Sequence, residues 1–455
     1  MLLDTQASLP TDEIYNRNFI DGQWVFPAAP YEYEIRNPAD STISAVVPLS
    51  SRNDVRRALA AARQSQNGPW ADPAQRHQML AKLLNHLAEL APQLARLQTT
   101  ETGLEPADSV ATIEAALRLA RTILTRTVID PPAPQPGVTG HILSWGLPFT
   151  GMLTNVFNAW THGASAVVKP SLRGPLTPVA IALAASHVGF PPGAINVVQG
   201  TGVDVGAALI GCPDLTRLNV HGNDDTLSRA RRATPRTQVP LSTLSAGGNA
   251  AIVYPYIASD RIASLAVDVA AAVRIHNAGG PFGLPIVALH TTVATQVLEA
   301  IMAEVTTVRP APLPTEPLRR RAMTRLDMLR TAGARVLAGA TIPDDIEHRM
   351  GWRIPATVVN LGDAQRAAPL LRSVGEPLGP ILTVAHWTTH QDLDALFAAP
   401  RHLDGYAGTW GDSFGDERIR FGVITREQNA LDAAHGGLLP STWIGETAAR
   451  ATGAP

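Results

Sequence analysis

The sequence predicts an α/β protein with two doubly wound domains. Strand-like and helix-like segments alternate from residue 138 to residue 200, and a similar alternation begins again near Ala251. Repeated β–α–β units form parallel sheets with right-handed crossovers, and such sheets bind ligands at the carboxyl ends of their strands. A chain of 455 residues is also long enough for more than one domain.

Two short motifs organise the region before residue 138. The dipeptide Asp21-Gly22 predicts a hairpin turn between two short strands within residues 15–25. Ser51, followed three residues later by Asp54, predicts a capping box that begins a helix. Two more helices are predicted over residues 75–97 and 105–127, and the proline run over 130–137 predicts a rigid extended connector.

The two series are predicted from runs of apolar residues separated by turn signals. The first contains the strand GHILS, a helix that ends at Gly163, the strand ASAVVKPS, the helix PLTPVAIALAASHVG and the strand INVVQG. The second contains the strand AAIVYP, a helix over 260–274, the strand LPIVALH, a helix over 292–305, the strand GPILTVAHW and a short helix over 391–398. No element is predicted after Gly411.

Composition limits the classes of partner. The chain has 37 lysines and arginines against 39 aspartates and glutamates, with no run of like charge, so neither nucleic acid nor a membrane surface is an expected partner. The single cysteine, Cys212, excludes an internal disulfide framework, and no cluster of histidine, aspartate and glutamate has metal-ligand spacing. Residues 1–12 lack the features of a signal peptide, and no apolar stretch is long enough to span a membrane. We expect a cytoplasmic protein.

Nine motifs, in order along the chain, resemble the landmarks of the aldehyde dehydrogenase superfamily. They are FIDGQWV, NPAD, SWGLPF, GASAVVKPS, PPGAINVVQGTGVDVGAAL, CPDLTRLNVHG, LSAGGN, NAGGPF and GEPLGPIL. The resemblance implies a dinucleotide-binding, Rossmann-like domain over 1–125 and 138–243, a shortened oligomerisation flap over 126–137, a catalytic-type domain over 244–411, and a return segment with a truncated tail over 412–455.

The resemblance also indicates a divergent member that lacks the catalytic cysteine. In the family a cysteine thiolate attacks the aldehyde, an asparagine donates to the oxyanion, and a glutamate activates the deacylating water. Aligned residue by residue, these positions fall on Phe282, Gly146 and Ser245. None of these three side chains can supply the chemistry of the residue that it replaces. Cys212 lies elsewhere in the chain and is expected to be a loop or core thiol.

The cofactor positions are partly retained. Lys169 matches the family lysine on the adenosine ribose, although it could equally be a solvated strand end, and Glu376 matches the nicotinamide-ribose glutamate or is an ordinary loop carboxylate. Leu172 replaces the second ribose acceptor, and Asp224 and Asp225 add negative charge beside the expected pyrophosphate. The cofactor-binding set that the resemblance implies is Trp145, Lys169, Gly202, Gly222, Asn223 and Glu376. We therefore expect binding of NAD or NADP to be weak or absent.

Two hypotheses for function follow. The first is a pseudoenzyme that binds a small molecule or a protein partner without thiol-dependent oxidation. The alternative is an NAD(P)-linked oxidoreductase or a non-redox enzyme that uses the reshaped pocket for chemistry without a thioester. In that case His276 is the candidate catalytic residue, although a lone histidine there is more often a packed neighbour. Because the flap and the tail are short, we expect a monomer or a dimer.

Overall fold

The computed structural model describes residues 12–129, 133–245, 250–255, 257, 259–276, 284–375, 378–397, 405–410 and 420–424. The chain divides into two compact units, Met1–Thr243 (unit 1) and Leu244–Pro455 (unit 2). In the described part of the chain, no helix is long and apolar enough to cross a membrane. The assignment of each unit to a family domain stays a prediction.

The helices and strands alternate along both units. The helices are α1 (Asp12–Tyr15), α2 (Arg52–Gln64), α3 (Pro73–Glu89), α4 (Ala91–Thr102), α5 (Pro106–Ile129), α6 (Pro148–Thr161), α7 (Leu176–His187), α8 (Ala207–Ile210), α9 (Asp224–Thr237), α10 (Ser259–His276), α11 (Ala294–Val305), α12 (Glu316–Thr331), α13 (Ile346–Met350), α14 (Ala364–Val374) and α15 (His390–Phe397). The strands are β1 (Asn18–Ile20), β2 (Gln23–Val25), β3 (Glu32–Arg36), β4 (Ile43–Pro48), β5 (Gly137–Ile142), β6 (Ala164–Lys169), β7 (Ile195–Val197), β8 (Arg217–Gly222), β9 (Leu241–Ser245), β10 (Ala250–Val253), β11 (Ile286–His290), β12 (Arg335–Ala338), β13 (Thr357–Asp363), β14 (Ile381–Trp387), β15 (Gly405–Trp410) and β16 (Arg420–Ile424).

Each unit is organised around a sheet whose central strands are parallel. In unit 1 the order is β2-β1-β7-β6-β5-β8-β9, and β7, β6, β5 and β8 run parallel while β1 is antiparallel to β7. In unit 2 the order is β12-β13-β14-β11-β10-β15-β16, with antiparallel strands at both edges of a parallel centre. The prediction of two α/β series with parallel sheets is confirmed.

Short-range motifs form the local structures that they predict. Strands β1 and β2 pair as an antiparallel hairpin, and Asp21 and Gly22 have φ of 55° and 74° at its turn. Positive φ at both central residues is the type I′ geometry that matches strand twist. At the start of α2, Ser51 accepts a backbone hydrogen bond and Asp54 bonds back to the Ser51 N–H at 2.9 Å. The predicted capping box is therefore present.

One helix prediction was wrong in extent. The single helix predicted over 75–97 is two helices, α3 and α4, separated at Leu90. Pro92 lies in the first turn of α4, where its missing N–H costs nothing, whereas within a continuous helix its ring would clash with the Ala88 carbonyl. The structure also extends α5 to Ile129 and starts β5 at Gly137, so both ends of the segment 126–137 belong to regular elements.

An aromatic cluster fills the core of unit 1 beneath β6 and β7. The rings of Trp70, Trp160 and Phe190 pack at centroid distances of 5.2 to 6.3 Å. Both indole N–H groups are satisfied, because Trp70 donates to the Ala164 carbonyl at 3.0 Å and Trp160 donates to the Ala194 carbonyl at 3.2 Å. The cluster therefore buries large apolar rings without leaving a donor unpaired.

A buried carboxylate joins α4 to the start of α7. Glu101 is 1% exposed, and it accepts hydrogen bonds from the Leu176 N–H at 2.7 Å and from the Thr177 N–H at 3.0 Å. The Thr177 hydroxyl donates to the same carboxylate at 2.6 Å. The first N–H groups of a helix have no partner within it, so Glu101 acts as a cap supplied from 75 residues away in sequence.

Two glycines beside α7 and β7 allow a matched test of backbone packing. Gly193 and Gly189 have φ of 81° and 84°, but a Cβ on Gly193 would lie 2.1 Å from the Ala61 carbonyl oxygen, whereas a Cβ on Gly189 meets nothing within 4 Å. We expect Gly189→Ala to lower the unfolding free energy by about 1 kcal/mol from the left-handed φ alone, and Gly193→Ala to lower it by about 3 kcal/mol because a clash is added. Chemical denaturation of both variants measures the difference, and equal losses would contradict the packing.

Candidate functional site

The carboxyl ends of neighbouring parallel strands in unit 1 lie at one edge of its sheet. The strands, in spatial order β6, β5 and β8, end at Lys169, Ile142 and Gly222. The loops after β5 and β6 touch, because a Cβ on Gly174 would lie 3.3 Å from the Pro148 ring and 3.4 Å from the Trp145 carbonyl oxygen. The topology therefore brings four of the predicted positions, Trp145, Lys169, Gly222 and Asn223, to the same edge. We refer to this edge as the crevice.

The loop after β5 carries Gly146 and leads into α6. Gly146 is buried and supplies only main-chain groups. Pro148 begins α6, and the residue before it provides no side-chain cap. Within the first turn, the Thr150 hydroxyl is buried without a hydrogen-bond partner in the described ranges. The start of α6 therefore retains unsatisfied hydrogen-bonding capacity, a feature that sequence reasoning missed.

Lys169 is a buried cation at the end of β6. The side chain is 5% exposed, and its ammonium donates to the Pro170 carbonyl at 2.8 Å. Burial, together with a smaller effect of the positive charge of Arg173, lowers the pKa of Lys169 to about 8. An ammonium has three donors, so Lys169 can still donate to an oxygen of a ligand.

The glycine-rich turn after β7 packs beside Lys169. Residues Gly202–Gly206 form a turn of π-helix that continues into the four-residue helix α8. The Thr201 side chain caps this turn by accepting from the Asp204 N–H at 3.0 Å. A Cβ on Gly206 would lie 3.7 Å from the Lys169 side chain, whereas a Cβ on Gly202 meets nothing within 4 Å. Because α8 is only four residues long and Asp204 adds negative charge in the first turn of the preceding π-helical segment, this turn has little capacity to attract phosphate.

Asn223 caps α9 as its position predicts. The Asn223 side-chain oxygen accepts hydrogen bonds from the Thr226 N–H at 3.1 Å and from the Thr226 hydroxyl at 3.0 Å. Gly222 permits this close turn, because a Cβ there would lie 3.1 Å from the Thr226 Cβ. Asp225 is exposed in the first turn of the same helix, where its charge opposes the binding of a second anion.

Sequence reasoning missed two polar residues at the crevice. His221, in the last positions of β8, is 6% exposed, and its Nδ1 lies 3.5 Å from the Asn155 side-chain nitrogen. Asn155 also donates to the Gly151 carbonyl, one turn earlier in α6, at 2.6 Å. The available signal was a histidine directly before Gly222 at the carboxyl end of a strand.

A second histidine, His141, is locked inside the same sheet. The Asn219 side-chain nitrogen lies 3.3 Å from His141 Nδ1, and His141 Nε2 lies 2.9 Å from the Thr139 hydroxyl. Because the Asn219 nitrogen can only donate, Nδ1 accepts and Nε2 carries the proton toward Thr139. Burial lowers the pKa of His141 to about 3, so the ring is neutral and has no acid–base role near pH 7.

The single thiol of the chain lies in the core of unit 1. Cys212 is 8% exposed and packs in the same cluster as Leu209 and Leu215, below the end of α8. Burial raises the pKa of Cys212, and the nearby charge of Asp214 raises it as well. A thiol with a raised pKa in an apolar cluster is a poor nucleophile.

The order of strands, the crevice and the motifs around it agree with one family. The model of the aldehyde dehydrogenase family matches residues 24–397. The chain belongs to the aldehyde dehydrogenase family. It is 24% identical over 419 residues, 84% of this chain and 80% of the relative, to aminoaldehyde dehydrogenase 2, peroxisomal, of Pisum sativum.

Solved structures of aldehyde dehydrogenases share the fold. A point mutant of betaine aldehyde dehydrogenase from Staphylococcus aureus, in complex with NAD+, is 22% identical with a TM-score of 0.78, covering 88% of this chain and 86% of its own. A cysteine-to-alanine mutant of aldehyde dehydrogenase C from Pseudomonas syringae, in complex with NAD+ and octanal, is 22% identical with a TM-score of 0.78, covering 90% and 87%. At this identity the likeness is one of fold.

Some of the predicted catalytic and cofactor positions lie outside the described residues. Phe282 and Glu376 fall outside them. Ser245 is the last residue of β9 and His276 is the last residue of α10, and their side chains are not among those described. Among the described residues, no three histidine, cysteine, aspartate or glutamate side chains are grouped to hold a metal ion. The roles of these four positions stay predictions.

Proposed function

We propose that this aldehyde dehydrogenase family member has lost thiol-dependent aldehyde oxidation and acts as a pseudoenzyme that binds a small molecule or a protein partner. The observation that carries the proposal is the location of Cys212, the only cysteine of the chain, in the core of unit 1. Covalent oxidation through a thioester needs an accessible thiolate beside the substrate. An aldehyde oxidation assay of the wild-type and Cys212→Ala proteins tests the proposal.

The crevice supports residual binding of a dinucleotide. Lys169 has donors left for a ribose hydroxyl or a phosphate, and Gly222 lets the chain turn tightly into the capped start of α9. Against these features, Leu172 offers no acceptor for the ribose and Asp225 adds negative charge. In the related fold from Pseudomonas syringae, a mutant without one cysteine still holds NAD+ and octanal, so in that protein binding does not require the thiol. When bound, the dinucleotide would supply hydride chemistry.

Lys169 and Arg173 favour NADP over NAD if either binds. The two cations are close enough for the charge of Arg173 to lower the pKa of Lys169, and the ribose-acceptor position beside Arg173 is the apolar Leu172. A 2′-phosphate would neutralise this repulsion, whereas a 2′-hydroxyl would not.

Isothermal titration calorimetry measures the affinity for NAD and NADP, which we expect to be low. We expect a dissociation constant of about 0.1 to 1 mM for NADP and weaker or no binding for NAD. Lys169→Met is expected to remove the binding, whereas Lys82→Met, on the exposed face of α3, should leave it unchanged. Micromolar affinity for either dinucleotide would favour the alternative, an NAD(P)-linked oxidoreductase or non-redox enzyme with a reshaped pocket.

A further inference from the structure

Helix α6 carries one polar face on an otherwise apolar helix. The residues of this face, which we call the α6 stripe, are Thr150, Gly151, Thr154, Asn155 and Asn158. At 100° and 1.5 Å per residue, they fall within an arc of about 140° and extend over about 12 Å of the helix. The opposite side of α6 is apolar and fully buried, and it includes Phe149, Leu153 and Trp160.

The stripe contains hydrogen-bonding groups that the chain itself does not use. The Thr150 side chain is 1% exposed, and its hydroxyl is buried without a partner. Asn155 and Asn158 are half-buried. In the part of the chain that the structure describes, neither the Asn155 side-chain oxygen nor the Asn158 side-chain amide has a hydrogen-bond partner. Buried polar groups in folded proteins usually have partners, so three such groups on one helix face indicate a ligand.

Gly151 leaves space beside these groups, and the stripe borders the crevice. A Cβ on Gly151 would meet nothing within 4 Å. Asn155, one turn later, has its side-chain nitrogen 3.5 Å from His221 Nδ1, at the carboxyl end of β8. Helix α6 also begins in the connection that follows β5, at the same edge of the sheet. Doubly wound sheets bind ligands at this edge.

We propose that the α6 stripe binds a neutral polyhydroxylated molecule, a polyol or a sugar. Each hydroxyl group of such a ligand can both donate and accept. One molecule can therefore pair with the Thr150 hydroxyl, the Asn155 oxygen and the Asn158 amide together. The inference rests on the proposed function, because it names the chemical class of the small molecule that the crevice would hold without oxidising it.

Other classes of small molecule fit the stripe less well. An apolar alcohol or aldehyde would leave the Thr150 hydroxyl and the asparagine amides without partners, which weakens binding. A small anion would find no cation on the stripe, because none of its five residues ionises. The stripe therefore favours hydroxyl groups over alkyl chains and over carboxylates.

Saturation-transfer difference NMR on the full-length protein without a dinucleotide tests the inference. The probes are meso-erythritol, xylitol and D-glucitol as polyols, 1-hexanol as the apolar molecule and succinate as the anion. We expect at least one polyol to bind with a dissociation constant of about 1 to 10 mM. Thr150→Val removes the hydroxyl at nearly constant shape and should weaken this binding about tenfold. The matched control, Thr122→Val on the exposed side of α5, should bind as the wild type does.

Thermal unfolding separates a loss of binding from a loss of fold. Thr150→Val removes a buried hydroxyl that has no partner, so its unfolding midpoint should equal or exceed that of the wild type. If this variant unfolds nevertheless, Asn158→Ala carries the same binding test, with the same expected loss.

Three outcomes would overturn the inference. They are the absence of polyol binding by the wild type, unchanged polyol binding in Thr150→Val, and tighter binding of 1-hexanol or succinate than of any polyol. Each of them leaves the proposed loss of aldehyde oxidation in place. Aldehyde oxidation by the wild type would instead contradict the proposed function, and polyol binding that depends on Thr150 would still assign the ligand class.

Discussion

Purified protein supplied with NAD or NADP and a simple aldehyde is expected to show no oxidation above the uncatalysed background. The family position of the nucleophile carries Phe282, whose side chain cannot form a thioester. The one thiol in the chain, Cys212, is buried in a core cluster with a raised pKa. Formation of NADH or NADPH, followed by absorbance, measures the activity.

Returning the thiol alone should not restore turnover. In Phe282→Cys the oxyanion donor is still absent at Gly146 and the general base is still absent at Ser245. A lost oxyanion donor costs at least about 100-fold and a lost general base costs a similar factor, so this variant should remain about 10⁴-fold or more below an intact site. The matched comparison is the triple variant Phe282→Cys, Gly146→Asn and Ser245→Glu, which supplies all three groups.

Cys212→Ala tests whether the one native thiol takes part in any oxidation that is measured. Steady oxidation that survives this substitution would show an unrecognised mechanism and would remove the basis of the pseudoenzyme proposal. Oxidation that disappears with Cys212→Ala would mean that the core around α8 opens enough to expose the thiol. Thermal unfolding of the variant shows whether any lost activity reflects lost fold instead.

Replacement of the buried cap at α7 should produce the largest loss of stability. Glu101→Ala leaves the Leu176 and Thr177 N–H groups without an acceptor and leaves a cavity, so we expect the unfolding free energy to fall by about 4 kcal/mol. Chemical denaturation near pH 6 measures this loss. Glu89→Ala, at an exposed carboxylate on α3, should change stability by less than about 0.5 kcal/mol.

The same residue should make stability depend on pH. Burial raises the pKa of Glu101 from 4.5 to about 7, and hydrogen bonds from Thr177 and Leu176 limit that rise. The folded protein thus holds this proton more tightly than the unfolded chain. The stabilisation that protonated Glu101 adds to the free energy of unfolding is therefore full below pH 4.5 and is lost as the pH rises through about 7. The loss is about 3 kcal/mol at about 1.4 kcal/mol per tenfold change in proton affinity.

Glu101→Gln is the variant that tests this dependence. A glutamine at this position is neutral at every pH, so the unfolding free energy of the variant should change less between pH 5 and 8 than that of the wild type. Glu89→Gln removes an exposed carboxylate and should leave the slope unaltered. Identical slopes for the wild type and Glu101→Gln would show that Glu101 keeps its charge throughout this range.

Features governed by a few neighbouring residues could be predicted from the chain alone. Asp21-Gly22 specifies the hairpin because both residues tolerate positive φ, and Ser51 with Asp54 specifies the start of α2 through reciprocal hydrogen bonds. The alternation of strands and helices also predicts the parallel sheets. Family motifs further predict the crevice positions Trp145, Lys169 and Asn223, because each motif places its residue at or just after the carboxyl end of a strand.

Contacts between distant segments required the folded chain. Glu101 caps a helix that begins at Leu176, and His141 contacts the side chain of Asn219 on a neighbouring strand. Nothing near Glu101 or His141 in sequence indicates either partner. Burial alone also decides that Cys212 is a core thiol. Local motifs act through hydrogen bonds between residues a few positions apart, so the sequence alone predicts them. The pKa of a buried group and the partner of a distant side chain depend instead on which surfaces the sheet and helices enclose, and that is decided only when the tertiary structure forms.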